Sequence, residues 1–179
     1  MKHKIEYKHI VRPVKYPRIE LKSGNLVVVA SEATSIDEVL RKHHYWVNKK
    51  IKFIDHYIKT ASKSTLKKKE REVLDKLLKK YIRKAEKILR VTPSSFRVRF
   101  MKSKWASCTP KGLINYNELI AFLPNNLIWY ITLHEMTHLI VKGHNTKFWF
   151  LMHKHIKNHQ EKEKALFSYW FKIHKNINF

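Results

Sequence analysis

Cysteine is almost absent. Cys108 stands alone among 179 residues, so no intramolecular disulfide can form, and the chain suits a reducing compartment. Glycine (3) and proline (5) are scarce, which excludes collagen-like and low-complexity chains. No apolar run approaches the ~20 residues needed to span a bilayer. The first ten residues are charged and lack the apolar centre of a secretion signal. These absences lead us to expect a cytoplasmic protein with no membrane partner. Acidic residues are also few: 14 Asp and Glu against 38 Lys and Arg, a formal net charge of +24. Residues 41–90 hold 18 of the cations and only 5 acids. A field of that sign attracts polyanions, so nucleic acid is an expected partner of residues 41–90; a solvated helical face is the plainer account of the same charge.

What is present suffices for a core. Hydrophobic residues make up 44 % of the chain, which suits one domain over 1–179. Within it we delimit an N-terminal hairpin and helix (1–65), a basic helix (66–92), a sheet with the chemical core (93–160) and a C-terminal helix (161–179). Ser23-Gly24-Asn25 is a turn signal, followed by the β-branched run Leu26 to Val29, which predicts the hairpin. Ser35 and Glu38 have capping-box spacing, and the helix they open would carry Val39, Leu40, His43, Trp46, Val47 and Ile51. From Leu66 to Leu89, Leu74, Leu78, Tyr81, Ala85 and Ile88 form one helical stripe among lysines. From Ser95 the period changes to two: Phe96, Val98 and Phe100 alternate with Arg97, Arg99 and Met101 as in a half-buried strand. Trp105–Cys108 and Leu113–Tyr116 are further strands about a turn at Thr109–Gly112. Pro124 suits the first turn of a helix reaching about Val141, with Gly143 as its C-cap. Asn145 would N-cap the helix after it. A last amphipathic helix from about Glu161 presents Leu166, Phe167, Trp170 and Ile173.

The chemistry concentrates in His134-Glu135-Met136-Thr137-His138. Two histidines four apart on a helix project from one face, one turn apart, and both can reach a single ion. Glu135 borders that face without having to be a ligand. Zinc acidifies a water ligand to a pKa of ~7, and a neighbouring carboxylate can take its proton and deliver it to a leaving group. That is the physical content of H-E-x-x-H. Packed or surface histidines are the bland alternative in a chain with 12 of them. The flanking Leu127, Ile128, Tyr130, Ile131 and Leu133 indicate a buried helix, where unpaired histidine and glutamate are costly. A catalytic zinc wants a third protein ligand. His144, six positions past His138, is the near candidate; His153, His155, His159, Glu161 and Glu163 are rivals. The 138-to-144 spacing is that of metzincins, but their intervening glycine is replaced by Val141 and no Met-turn is evident downstream. Cys108 reads as packing rather than as nucleophile. Trp105, Tyr116 and Asn117 could line a cleft or serve the core, and Lys104 could stabilise an oxyanion.

Several of these segments together resemble one family. They are Arg97-Val98-Arg99, Ser103-Lys104-Trp105-Ala106-Ser107-Cys108, Gly112-Leu113-Ile114-Asn115-Tyr116-Asn117, Pro124, Tyr130, His134 to Leu139 and His144-Asn145-Thr146-Lys147-Phe148-Trp149, with an earlier Trp46-Val47-Asn48-Lys49-Lys50. The pattern resembles the YgjP-like metal-dependent hydrolases, relatives of SprT-like and WLM zinc proteases. The resemblance implies an α+β, zincin-like fold of the minimal gluzincin type, with a small antiparallel sheet packed on the zinc helix. It implies Zn2+ held by His134, His138 and His144, with Glu135 catalytic. Lys104 departs from an arginine, Ala106 from glycine, Thr137 from alanine, Gly143 from asparagine and Asn145 from serine. No departure removes a ligand or the base, but Lys does not reproduce the bidentate geometry of Arg.

Three functions are expected from these residues. The first is a zinc-dependent metallopeptidase-like hydrolase acting on polypeptide. The second is a nucleoside triphosphate hydrolase on the same metal site, although no Gly-rich phosphate loop is present. The third is a nucleic-acid-associated protease or binding protein recruited through its basic helices. A purely structural zinc has no need of Glu135.

Overall fold

The computed structural model describes residues 7–22, 25–61 and 66–176, which divide into two compact units: Met1–Lys63 with Trp170–Phe179, and Ser64–Tyr169. Both are built of short strands and helices, the α+β class expected.

The first unit contains β1 (Tyr7–Val11), β2 (Arg18–Lys22), β3 (Asn25–Ala30), α1 (Ile36–Lys42) and α2 (His44–Ala61). The run Leu26–Ala30 is buried at every position because β3 is the central strand, with both faces covered. β2 and β3 form the expected hairpin, Lys22 opposite Asn25; the turn signal at 23–24 lies outside the described residues. β1 adds in parallel to the other edge of β3, a pairing that local sequence pattern does not announce. Ser35 caps α1 by accepting from the Glu38 amide at 3.4 Å. The single helix expected from Ser35 is broken at His43, whose backbone (φ −106°, ψ 17°) leaves the helical region before α2 begins. Val39 and Val47 are buried, whereas Trp46 is exposed.

The second unit contains α3 (Arg71–Leu89), β4 (Ser95–Arg99), β5 (Ala106–Cys108), β6 (Leu113–Asn117), a 3-10 turn (Glu118–Phe122), α4 (Asn125–Thr137) and α5 (Thr146–His155). The last helix, α6 (His159–Asn176), contributes to both units. α3 starts five residues later than expected. The backbone amide of Lys69 is used by Ala121 O at 3.1 Å and its ammonium by Leu123 O, so this stretch is tied to the loop before α4 instead of continuing a helix. Leu74, Leu78, Ile82 and Ala85 form the buried stripe; Tyr81 and Ile88 are half-buried at its margins. The helix ends on Arg90 in the left-handed region (φ 56°), its amide bonded to Glu86 O at 2.8 Å.

The sheet of this unit has the order β4-β6-β5. It is mixed, not purely antiparallel: β5 runs antiparallel to β6, and β4 runs parallel to it. β6 is central and buried from Ile114 to Asn117. The expected turn between β5 and β6 is closed by Gly112 N donating to Thr109 O at 2.9 Å, with Gly112 at φ +78°. α4 packs against α3, α5 and β5, so it is apolar on most of its circumference. Pro124 occupies its N-cap, one position before the first turn. The helix stops at Thr137, not near Val141. The amides of Leu139, Ile140 and Val141 fold back onto Met136 and Thr137, and Gly143 lies in the loop beyond instead of capping. Asn145 caps α5 as expected, accepting from the Phe148 amide at 3.1 Å. On α6, Leu166, Trp170 and Ile173 are buried, and Phe167 is exposed. Among the described residues, no helix is long and apolar enough to cross a membrane.

Candidate metal centre

α4 and its C-cap present His134 and His138 from one face, and the loop after them carries His144 back. One ring nitrogen from each of the three lies within 4.8 Å of the others. His144 Nε2 is 3.0 Å from His134 Nε2, and the three ring centroids are 4.8–5.0 Å apart. The rival residues do not join them. His153 Nε2 pairs with His159 Nδ1 at 2.7 Å, Glu161 accepts from Asn158, and Glu163 accepts from the Tyr130 hydroxyl.

The donor set suits a borderline metal ion. His138 Nδ1 is 3.0 Å from Val141 O, which can only accept, so Nδ1 carries the proton and Nε2 keeps its lone pair. Burial first, then the neighbouring His138 and His144, push the His134 pKa down to about 3. Burial and His144 also lower that of His138, against the Val141 carbonyl. Two half-buried imidazoles thereby favour the neutral form, the one that binds metal. Among the described residues His134 Nδ1 is buried without a hydrogen-bond partner, a costly feature for a histidine placed there for packing alone. Three nitrogen donors leave a coordination position open, as in catalytic zinc sites.

Phe148 entered the sequence analysis only as part of the family pattern, with no role at the site. It is fully buried, and its ring lies 4.7–4.9 Å from all three imidazoles, forming the floor of the cluster. Trp149 stacks on His144 at 6.0 Å. The signal was present: Phe148 lies one helical turn beyond His144, and Asn145 starts that helix.

Glu135 is buried and lines the same cleft. Burial pushes its carboxyl up to about 7, opposed by a hydrogen bond from the Cys108 backbone and by the charge of Lys104. The Cys108 amide can serve it because β5 is an edge strand whose outer side is free of ladder bonds. The Cys108 thiol lines the cleft half-buried, and burial followed by the Glu135 charge pushes its pKa up. It stays protonated and is a poor nucleophile. Tyr116 is fully buried in the core. Asn117 has a positioning role: its Nδ2 donates to Met101 O and Lys104 O at 2.6 and 2.7 Å, and its Oδ1 accepts from the Leu119 amide. It thereby ties the segment before β5 to the start of the 3-10 turn. Trp105 packs at the edge of the core.

No curated protein matches the sequence. Among solved structures, two are similar over about half of this chain, each at 24 % identity and a TM-score of 0.44. They are the metallopeptidase zymogens of Pyrococcus abyssi abylysin, covering 49 % of this chain and 87 % of that one, and of Methanocaldococcus jannaschii jannalysin, covering 50 % and 90 %. The profile of the YgjP-like metallopeptidase domain matches residues 55–169, a span that holds the histidine cluster, Glu135 and the whole second sheet. The chain belongs to the YgjP-like family and carries its metallopeptidase domain.

Proposed function

We propose that this protein is a zinc metallopeptidase, with His134, His138 and His144 holding the ion and Glu135 as general base. The convergence of three imidazoles beside a buried carboxyl, in one cleft, carries the reading. When bound, the metal supplies Lewis acidity toward a carbonyl and toward water. Glu135 takes the proton of the attacking water and returns it to the departing amine nitrogen. A carboxyl held near 7 by burial does both at neutral pH. The Cys108 amide aims the carboxylate, and Phe148 keeps the imidazoles in one arrangement. The test is a parallel assay of zinc-loaded protein on unfolded polypeptide and on nucleoside triphosphates, with Glu135→Gln as control. Polypeptide cleavage lost in the variant supports the reading; triphosphate hydrolysis alone replaces it with the phosphoanhydride alternative.

A second reading, recruitment to nucleic acid, is favoured by α3. Lys76, Lys79, Lys80, Arg83, Lys84 and Lys87 line a groove of about 470 Å³. Lys76 pairs with Glu72 at 2.7 Å and Lys84 lies over the Trp129 ring at 4.4 Å. Lys67, Lys68 and Lys69 precede the helix and do not belong to this face. Phosphate contacts release counterions, so binding should weaken steeply with salt and show little sequence preference. Replacing Lys79, Lys80, Arg83 and Lys87 by glutamate should lower both affinity and salt slope. No binding at ~50 mM salt, where such contacts are strongest, returns this face to solvation.

A further inference from the structure

The cleft beside the histidines has a volume of about 830 Å³ and an uneven charge. Its one acidic lining residue, Glu135, is buried, while Lys104, Lys111 and Lys142 line it from exposed positions. The three lysines come from three separate segments: just before β5, in the β5–β6 turn, and in the loop after α4.

Each is mounted on a fixed backbone. Lys104 O accepts from Asn117 Nδ2 at 2.7 Å. Lys111 sits in the turn closed by the Gly112 amide on Thr109 O and by the Leu113 amide on Thr109 Oγ1, at 2.9 and 3.1 Å. That turn has no slack: a Cβ on Gly112 would stand 3.3 Å from Ser94 N. Lys142 comes directly after Val141, whose amide bonds Thr137 O and whose carbonyl accepts from His138, both at 3.0 Å. No carboxylate pairs with Lys111 or Lys142 among the described residues. Lys104 acts on Glu135, which leaves the other two as uncompensated charge at the rim.

We propose that the cleft selects polypeptide segments with Asp or Glu flanking the bond to be cut, and that Lys104, Lys111 and Lys142 determine this specificity. The proposal rests on the peptidase reading. An extended peptide places successive side chains on alternate sides about 3.3 Å apart along the chain, so carboxylates spread along it can meet cations spread around the cleft. A phosphate group is better served by clustered backbone amides at a helix N-terminus or by the planar fork of Arg. Among the described residues, the cleft lining contains no arginine.

The experiment uses the full chain loaded with zinc and two labelled peptides that differ only in Glu or Gln at the positions flanking the scissile bond. Binding is read by anisotropy with Glu135→Gln, so that turnover does not interfere, and cleavage is read as kcat/KM with the wild type. The Glu peptide should bind about tenfold tighter at ~50 mM salt, and the gap should close at ~500 mM as screening shortens the reach of each charge. Lys111→Glu with Lys142→Glu should reverse the preference and keep zinc content and helical signal intact. Lys111→Gln with Lys142→Gln should weaken it to the share that Lys104 supports. Equal binding and cleavage of the two peptides overturns the proposal and leaves the peptidase reading standing. A preference unchanged in the double variants also overturns it. Failure to cleave either peptide while a nucleoside triphosphate is hydrolysed overturns both.

Discussion

The two sheets of this protein share one connectivity and differ in what their central strands contain. In each, the first strand lies parallel to the third and the second antiparallel to it, so the third is central. β3 is filled by Leu26, Val27, Val28, Val29 and Ala30, which have nothing to do but exclude water. β6 buries Asn115 and Asn117 among its apolar residues, and both reach outward: Asn115 Oδ1 accepts from Arg97 Nε at 2.6 Å, and Asn117 holds the segment before β5. A buried amide must be satisfied, so it dictates where the neighbouring backbone goes. The same topology thus makes an inert layer in one unit and an anchored cleft wall in the other. The helices after each sheet complete the contrast, because α4 and the loop leading into α5 bring three histidines together, whereas α1 and α2 assemble no such cluster among the described residues.

The contrast is broken most decisively by the histidines. Purified protein should hold about one zinc per chain, the stoichiometry of a single open three-histidine site. His134→Ala and His138→Ala should each abolish stoichiometric binding, measured by metal analysis after dialysis. His9→Ala and His44→Ala in the first unit should leave it unchanged. Full zinc content in the His134/His138 double variant would place the metal elsewhere.

Removing the base comes next. Glu135→Gln should keep the metal and lose about 10²- to 10⁴-fold in kcat, the usual worth of general acid–base catalysis. A wild-type rate in steady-state assays would remove Glu135 from the mechanism.

Packing substitutions sharpen the comparison, because both units lose stability but only one loses metal. Phe148→Ala should cost about 3–5 kcal/mol in denaturant unfolding and weaken zinc binding, since the cluster loses its floor. Val28→Ala should cost about 1.5–3 kcal/mol with zinc affinity unaltered. Equal zinc affinity in the two variants would reduce Phe148 to a core residue.

The smallest effects belong to the helix caps. Asn145→Ala and Ser35→Ala should each cost about 1 kcal/mol. The Asn145 bond is the shorter, 3.1 against 3.4 Å, and it opens the helix that carries Phe148. A thermal melt with and without zinc should therefore show a smaller metal-induced shift for Asn145→Ala than for Ser35→Ala.

Local features were legible in the sequence because each needs only a few neighbouring residues. The four-residue spacing of His134 and His138 places them on one face whatever surrounds the helix. Ser35 and Asn145 cap because their side chains reach an amide three residues on. The alternation of Phe96 and Val98 with Arg97 and Arg99 reports a strand with one covered face. The tertiary structure decided what depends on distant partners. The parallel additions of β1 and β4 are set by which edge of the central strand is open, and no local period encodes that. Among six candidates for a third ligand, proximity along the chain could rank His144 but not exclude the others. The fold-back of Leu139 to Val141 brings His144 to the pair, while Glu163 is drawn to Tyr130 and His153 to His159. The early stop of α4 has the same origin: amides at its end find acceptors in their own turn, and the loop so formed is what aims His144. Periodicity describes a helix as if it were alone, whereas the end of this one is set by the residues it must bring together.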